Sequence, residues 1–222
     1  MGRKINIYGE LSLMIGILLI SLAVSLMVRA DVGLSILASL PFALTTIFPD
    51  IAFGTWNIIF QISILAILLA ITRKFKSRYL VSLIIATAFG YIAGFFMSAL
   101  VGLPSDPWCR FVYFALGYLC CCFGISFMVA SKVPLMINEA FLFDLSRHFH
   151  VTFRRMKTLF DISVVSLSIL LPMIFLGHLA GVGIGTILMA MMTGAGVHET
   201  SRIISKIASI KPWSKMLGRM AE

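Results

Sequence analysis

The sequence predicts an all-α membrane protein with six transmembrane helices, arranged as two inverted three-helix repeats that each contain a short broken or re-entrant helix. The composition, a duplicated sequence pattern and the distribution of basic residues lead to this prediction. Of the 222 residues, 60% are hydrophobic and only 12% are charged, and the mean hydropathy is +1.03. Soluble domains average roughly 45–50% apolar and 25% charged residues. A water-soluble fold could not bury this much apolar surface, so lipid must form part of the solvent.

The predicted spans are continuous apolar runs. A helix needs about 20 apolar residues to cross a bilayer, and the runs do not alternate as the strands of a β-barrel would. The first run follows Arg3 and Lys4 in the manner of a signal peptide. It is long for one and has an internal counterpart, so we expect it to remain as a helix. The six runs cover residues 10–28, 54–72, 79–103, 110–130, 158–176 and 179–197.

The chain repeats itself after about one hundred residues. FGTWNIIFQ at 53–61 matches FRRMKTLFD at 153–161, and the helix at 13–32 matches the one at 113–133. Three spans per copy is an odd number, so the second copy must enter the membrane from the opposite face, as in many secondary transporters. We therefore predict a single membrane domain over 1–222. It contains repeat 1 at 8–103, repeat 2 at 109–197 and a basic amphipathic cytoplasmic tail at 198–222.

The basic residues predict the orientation. If the N-terminus is cytoplasmic, all 18 lysines and arginines except Arg29 and Arg110 lie on the cytoplasmic side. The positive-inside rule then places both termini in the cytoplasm, and we predict a multi-pass protein of the bacterial cell (inner) membrane. Anionic headgroups on that side account for the formal charge of +9, so no nucleic-acid partner is predicted.

The linkers 33–48 and 134–148 are too apolar for ordinary loops. Gly33, Pro41 and Pro134 interrupt them. Two interpretations stay open. Each linker is either a short helix that re-enters the membrane, where protein or water satisfies its backbone, or an amphipathic helix on the membrane surface.

Polar groups inside predicted spans are costly and therefore mark candidate functional positions. Asp161 follows Lys157 by one helical turn, and Gln61 and Asn57 are their counterparts in the first repeat. The alternative is an ion pair that only fixes the helices, with Glu139 at the headgroups. The predicted solute-binding lining near the bilayer midplane comprises Glu139, Asn138, Asp161, Lys157, Arg155, Asn57 and Gln61.

Two further polar or small-residue patterns are interpreted structurally. Gly177, Gly181 and Gly185 recur every fourth residue in the last span, which predicts one helix face for close packing against a neighbour. Asp144 is expected to cap its helix or to pair with Arg147.

The sequence carries no pattern typical of an enzyme. The consecutive thiols of Cys120, Cys121 and Cys122 point about 100° apart on a helix and cannot converge on one metal. The histidines lack metal-ligand spacing, and no nucleophile or phosphate-binding motif is present. We predict no catalytic site, metal site, disulfide or cofactor.

The order of the motifs resembles a known family. An apolar helix leads into ADVGLS, FGTWNII follows, and the second half ends in GVGIGT. Over roughly 10–197 this succession is similar to the YczE/YyaS/YitT family of bacterial membrane proteins. The resemblance implies the fold and the location but no established activity. The resemblance also implies that Arg155 and Lys157 are that family's basic pair and that Asp161 is its acidic residue. The carboxylate that the family carries in the first repeat is absent here, and Glu139 occupies the matching place in the second repeat.

Two functions follow as predictions. The first is a small secondary transporter or permease for an unidentified small organic solute, which works by alternating access between the repeats. The alternative is a non-transporting accessory or binding subunit of a larger membrane complex. The lipid bilayer and a small solute are the predicted partners, and the sequence leaves a homodimer open.

Overall fold

The computed structural model describes residues 5–131 and 137–211. In these ranges it contains eight helices and one two-stranded sheet. In chain order the elements are β1 (Ile5–Tyr8), α1 (Gly9–Ala30), α2 (Ile36–Ile47), α3 (Phe53–Thr72), α4 (Arg78–Ala99), α5 (Pro107–Ala130), α6 (Ile137–His148), α7 (Phe153–Phe175), α8 (Ile184–Ile207) and β2 (Ala208–Lys211).

Five of these helices, α1, α3, α4, α5 and α7, are long and apolar enough to cross a membrane. They confirm the predicted class, a helical multi-pass membrane protein. The predicted sixth span at 179–197 is wrong, because α8 begins only at Ile184 and then runs through polar residues to Ile207. Its apolar part, 184–197, is shorter than the roughly 20 residues that a span needs.

The three glycines predicted to share one helix face do not do so. Gly177 and Gly181 precede α8 with φ of +74° and +77°, and only Gly185 belongs to that helix. A left-handed backbone is incompatible with a right-handed helix and favours glycine. Gly181 still permits close packing, because a Cβ there would lie 2.8 Å from the ring of Phe42 in α2.

The helices α1 and α5 cross in antiparallel directions through reciprocal contacts. A Cβ on Gly16 would lie 2.9 Å from the carbonyl oxygen of Gly124, and one on Gly117 would lie 3.2 Å from that of Ala23. Gly16 and Gly117 are counterparts in the sequence repeat, as are Ala23 and Gly124. Each helix therefore presents the same two positions to the other, and small residues there let the backbones approach closely.

The helices α4 and α8 flank this central pair in matching ways. Ser25 of α1 donates its hydroxyl hydrogen to the carbonyl oxygen of Ala93 in α4, at 3.1 Å. Its counterpart Ser126 of α5 donates to the carbonyl oxygen of Val197 in α8, at 3.2 Å. Hydroxyl groups that bond across helices are a common means of joining helices within a bilayer.

The short helices α2 and α6 have 12 residues each, which corresponds to about 18 Å. α2 packs against α3 and α7, and α6 packs against α3, α4 and α7. α2 buries Ala38, Ser39, Leu40, Pro41 and Ala43. It is therefore covered by protein and does not lie free on a membrane surface.

The irregular backbone before α2 finds its partners in the segment before α8 and in the first turn of α8. The N–H of Leu34 donates to the carbonyl oxygen of Gly181, and the N–H of Gly185 donates to that of Val32, both at 2.9 Å. Gly33 lies between Val32, which accepts one of these bonds, and Leu34, which donates the other. Its φ of +127° is a conformation that glycine adopts readily. Protein groups thus satisfy this non-helical backbone, as they must inside a membrane protein.

The helices α3 and α4 pack closely, whereas their counterparts α7 and α8 make almost no contact with each other. A Cβ on Gly54 of α3 would lie only 3.0 Å from the carbonyl oxygen of Gly90 in α4. α7 packs mainly against the short helices α2 and α6. Among the described residues, one face of α7 consequently has no helix against it.

The beginning of the predicted tail differs from the expected amphipathic helix. α8 continues without a break past position 198, and Ala208–Lys211 forms β2, which pairs in parallel with β1. The extended form is favoured here because β1 supplies backbone hydrogen-bond partners. This sheet joins the start of α1 to the end of α8. The remainder of the predicted tail, 212–222, lies outside the described residues.

Candidate functional site

Three of the predicted lining residues lie in the protein interior. Asn57, Gln61 and Asn138 are each 2% exposed. The first two belong to α3 and the third lies near the start of α6, next to Glu139, whose side chain is outside the described part of the structure. Buried amides cost free energy unless they are hydrogen-bonded. Their partners therefore decide what this region can do.

Asn57 fixes how α3 and α4 face each other. Its Nδ2 donates to the carbonyl oxygen of Ala86 at 3.0 Å. Residues four apart lie above one another on a helix face. Gln61, one turn further along α3, therefore lies level with Ser82, one turn back along the antiparallel α4.

Within the described part of the chain, three buried oxygen atoms on these helices have no hydrogen-bond partner. They are Oε1 of Gln61, Oγ of Ser82 and Oδ1 of Asn138. They belong to α3, α4 and α6, three helices that pack against one another. An unsatisfied buried polar atom costs about 1–3 kcal/mol, and native proteins hold few of them. We refer to these three residues as the neutral oxygen cluster.

An ion-pair network joins α6 to the link between α3 and α4 and to the start of α4. Asp144 of α6 accepts hydrogen bonds from Lys76 Nζ and Arg78 Nη2, each at 2.6 Å, and from the hydroxyl of Tyr79 at 2.5 Å. The expectation that Asp144 pairs with Arg147 is wrong. The carboxylate is nearly buried and finds two cations and a hydroxyl group on another part of the chain.

The network changes the pKa of Asp144. Burial alone would raise this pKa, but the hydrogen bonds from Lys76, Tyr79 and Arg78 together outweigh it and hold the pKa below its usual value. Asp144 is therefore ionised at neutral pH and neutralises one of its two basic partners. Lys76 and Arg78 otherwise place like charges at one end of the bundle.

The charged residues of the predicted lining that belong to α7 lie on a face of this helix against which no described helix packs. Lys157 Nζ is 3.0 Å from Oδ2 of Asp161, one turn further along the helix. The Lys157 side chain is 48% exposed and that of Asp161 is 19% exposed, while Arg155 is exposed. We refer to Lys157 and Asp161 as the α7 ion pair. The structure therefore does not bring this pair into the interior with Asn57 and Gln61.

The sequence analysis did not identify the buried polar serines, Ser82 of α4 and the pair formed by Ser39 and Ser168. Ser82 belongs to the neutral oxygen cluster, and Oγ of Ser39 in α2 lies 2.9 Å from Oγ of Ser168 in α7, both fully buried. A serine within an apolar span carries little signal, because its hydroxyl can bond to its own helix. For Ser82, the available signal was its position one turn from the residue that faces Asn57.

The two polar regions offer different chemistry. The neutral oxygen cluster presents acceptor atoms without a formal charge, whereas the α7 ion pair presents both signs of charge at an uncovered helix face. Among the described residues, no group of three His, Cys, Asp or Glu side chains is placed to hold a metal ion.

Comparison with known proteins gives a family and no activity. No curated protein and no solved structure matches the chain. One family model, described as a family of unknown function (DUF6198), matches residues 7–202. This range includes α1 to α7 and most of α8, the elements that carry both polar regions. The chain therefore belongs to this family of unknown function, DUF6198.

Proposed function

We propose that the protein is a small secondary transporter for a small organic solute, and that its two repeats are inverted halves that provide alternating access. The pattern of helix contacts supports this proposal. The contact of α1 with α4 has its counterpart in that of α5 with α8, and the contact of α2 with α7 has its counterpart in that of α3 with α6. Helices related by the sequence repeat thus use equivalent partners around the α1–α5 pair.

The observation that carries the proposal is the largest exception to this pattern. α3 and α4 are in close contact, whereas α7 and α8 are apart. Inverted halves in different states are what alternating access requires, because one side must close while the other opens. In the second state of the cycle, α7 would pack against α8 and α3 would separate from α4.

The solute class follows from the α7 ion pair. Lys157 and Asp161 lie on the face of α7 that corresponds to the α4-contacting face of α3. In the proposed cycle this face meets α8, and a solute with both donor and acceptor groups can bridge the pair. We therefore expect a zwitterionic or polar organic solute rather than an inorganic ion as cargo.

The proposed location is the bacterial inner membrane with both termini in the cytoplasm, as the basic residues predict. Five spans alone would leave the two ends on opposite sides, so this orientation requires the 24-residue α8, whose end is paired through β2 with β1 at the start of α1, to cross the membrane as well. Single cysteines at positions 50 and 76, in a background without the four native cysteines, test the orientation in intact cells. An impermeant maleimide is expected to label position 50 only. Labelling of position 76 instead would show that the protein has the opposite orientation.

Uptake into proteoliposomes tests the transporter proposal. The purified protein is first screened for thermal stabilisation by amino acids, carboxylates, sugars and quaternary amines, and radiolabelled forms of the stabilising solutes are then assayed for accumulation. We expect accumulation of at least one solute, with a loss of tenfold or more in Asp161→Asn and in Glu139→Gln. The matched control is Ser163→Ala, whose exposed hydroxyl bonds only to Leu159 of its own helix.

The alternative, an accessory or binding subunit, has its own support in the structure. The exposed parts of α7 and α8 are strongly apolar and face away from the described residues, as at Ile174, Ile184 and Met191. A partner that co-purifies in a fixed ratio, together with no uptake of any solute by the protein alone, would favour this role over transport.

A further inference from the structure

The helices form two groups that meet almost entirely at α4. The first group consists of α1, α4, α5 and α8, and the second group consists of α2, α3, α6 and α7. Within each group the helices pack against one another. Among the described helices, the substantial contacts between the groups are those of α4 with α3 and with α6. The position of α4 therefore decides how the two groups are held together.

Asp144 of α6 connects the two groups by charge. One of its carboxylate oxygens lies 2.6 Å from Lys76 Nζ, in the link between α3 and α4. The other lies 2.6 Å from Nη2 of Arg78, the first residue of α4, and 2.5 Å from the hydroxyl of Tyr79, the second. In the described ranges, the remaining ion pairs each stay within one group. A single carboxylate thus ties the second group to the beginning of α4.

We infer that Asp144, Lys76, Arg78 and Tyr79 form an ionic latch that holds α6 against α4, and that release of this latch separates the two groups at this end of the molecule. The part of the latch in a transport cycle rests on the proposed function, because alternating access requires such an opening. The separation itself does not depend on that function.

The apolar packing of α6 favours α3 over α4. The buried residues of α6, among them Phe141 and Leu145, share a hydrophobic cluster with Ile64, Leu65 and Leu68 of α3. α4 contributes only Tyr79 to the buried part of this cluster. Because hydrophobic contact scales with buried area, α6 stays on α3 when the latch is released, and little apolar contact retains α4.

The close contact of α3 with α4 lies away from the latch. Gly90, which allows the approach of Gly54, is 12 residues along α4 from Arg78, or about 18 Å. This contact can serve as a pivot, since small residues at a helix contact tolerate a change of crossing angle without a side chain in the way. Separation at the latch therefore does not require the two helices to part along their whole length.

The second repeat contains the equivalent interface without a latch. α2 and α8 are the counterparts of α6 and α4, and they make almost no contact with each other. The repeat offset is 101 in α1 and α5 and 100 in α3 and α7, so the counterpart of Asp144 is Ala43 or Leu44. The counterparts of Lys76 and Arg78 are Leu176 and His178. The charged network thus occurs at the interface that is closed and is missing from the one that is open.

Double electron–electron resonance on the full-length protein, in detergent and in lipid vesicles, tests the latch without any transport assay. Spin labels are attached to His148→Cys in α6 and Val129→Cys in α5, in a background without the four native cysteines. Both positions are exposed, and they belong to different groups. We expect the wild type to show one main distance, with a longer distance as a minor population of roughly 1–5%.

The matched variants are Asp144→Asn and Asp31→Asn. Asp144→Asn removes the charge that holds both cations, and we expect it to raise the population of the longer distance about tenfold. Asp31→Asn breaks the ion pair with Arg110, which lies within the first group. Asparagine also tolerates the left-handed backbone of position 31. This control should leave the distance distribution unchanged.

An unchanged distribution in Asp144→Asn would overturn the latch and leave the transporter proposal standing. The same broadening in Asp31→Asn would also overturn it, because the separation would then reflect general loosening. If Asp144→Asn fails to fold, Lys76→Gln combined with Arg78→Gln removes the same ion pairs, and the absence of a longer distance there decides against the latch. Separation in Asp144→Asn together with no uptake of any solute by the wild type would reject the transporter proposal and confirm the latch.

Discussion

The α3–α4 and α7–α8 pairs begin from the same sequence pattern and reach different structures. Phe53 of α3 is 2% exposed, whereas its counterpart Phe153 of α7 is 42% exposed. Asn57 and Gln61 are buried between helices. Lys157 and Asp161 occupy the same register positions on a helix face that no other described helix covers.

In this comparison, the charge of the side chain at each position matches how closely the two helices pack there. A neutral amide can be buried at a close helix contact if it finds one carbonyl oxygen, as Asn57 does with Ala86. A lysine at that position would need water or a carboxylate, because an isolated buried charge is far more costly than an amide. The second repeat therefore carries charges where its helices separate, and the first repeat carries amides where they meet.

The largest expected effect comes from a variant that separates α3 from α4, which we call the closed pair. In Gly90→Leu, the new side chain would begin 3.0 Å from Asn57 Nδ2 and 3.1 Å from the carbonyl oxygen of Gly54. Overpacking of this kind destabilises by about 3 kcal/mol, or about 6–12 °C in Tm for a chain of this length. Gly194→Leu in α8 is the matched control, because nothing lies within 4 Å of its Cβ position. Equal losses in both variants would show that α7 and α8 also pack together in solution.

The next effect concerns the network that holds α6 to the closed pair. Asp144→Asn leaves Lys76 and Arg78 without their carboxylate, and we expect a loss of about 2 kcal/mol. This is less than the 3–5 kcal/mol of a fully buried pair, because the Lys76 side chain is partly exposed. Chemical unfolding in detergent measures it. Arg147→Gln serves as the control, since Arg147 lies over the ring of Phe143 and not on the carboxylate.

The same network predicts a dependence of stability on pH. The pKa of Asp144 is lower in the folded protein than its usual value of 3.8. Its contribution is therefore present above about pH 4 and is lost as the pH falls through the lowered pKa. The difference in stability between the wild type and Asp144→Asn should be constant from pH 7 to pH 5 and shrink below pH 4. A difference that shrinks already at pH 6 would contradict this assignment.

The sequence predicted the features that depend on local patterns and missed those that depend on packing between distant segments. Apolar runs predicted the helical membrane class, and Gly33 interrupts the first linker as expected. The expectation that Pro41 also interrupts it is wrong, because Pro41 lies within α2, and Pro134 lies outside the described residues. The three partners of Asp144 lie 65, 66 and 68 residues away, beyond any helical spacing. The late start of α8 depends on Gly181, whose left-handed conformation allows the preceding chain to lie against α2.

A smaller effect tests where the two halves are alike. Ser25→Ala and Ser126→Ala each remove a hydroxyl that donates to the helix flanking the central pair. Interhelical hydrogen bonds in membranes contribute about 0.6 kcal/mol on average. We expect a loss of this size from Ser25→Ala and a larger one from Ser126→Ala, because the Ser126 hydroxyl also bonds to Thr200 and Ser201 of α8. Thermal unfolding measures both. A cost at only one of the two positions would indicate that the halves do not share equivalent contacts at this level.

The smallest expected change in stability concerns the α7 ion pair, and it separates structure from function most sharply. Lys157→Gln and Asp161→Asn should each cost no more than about 0.5 kcal/mol, the usual value for exposed pairs one turn apart. If the pair only stabilised α7, uptake would be unaffected, because the helix loses so little. If the uncovered face contacts the solute, both variants lose uptake at unchanged stability, and the double variant loses no more than either one. A loss of 2 kcal/mol or more in either single variant would show instead that α7 is packed against a neighbour on this face, and the contrast between the two helix pairs would disappear.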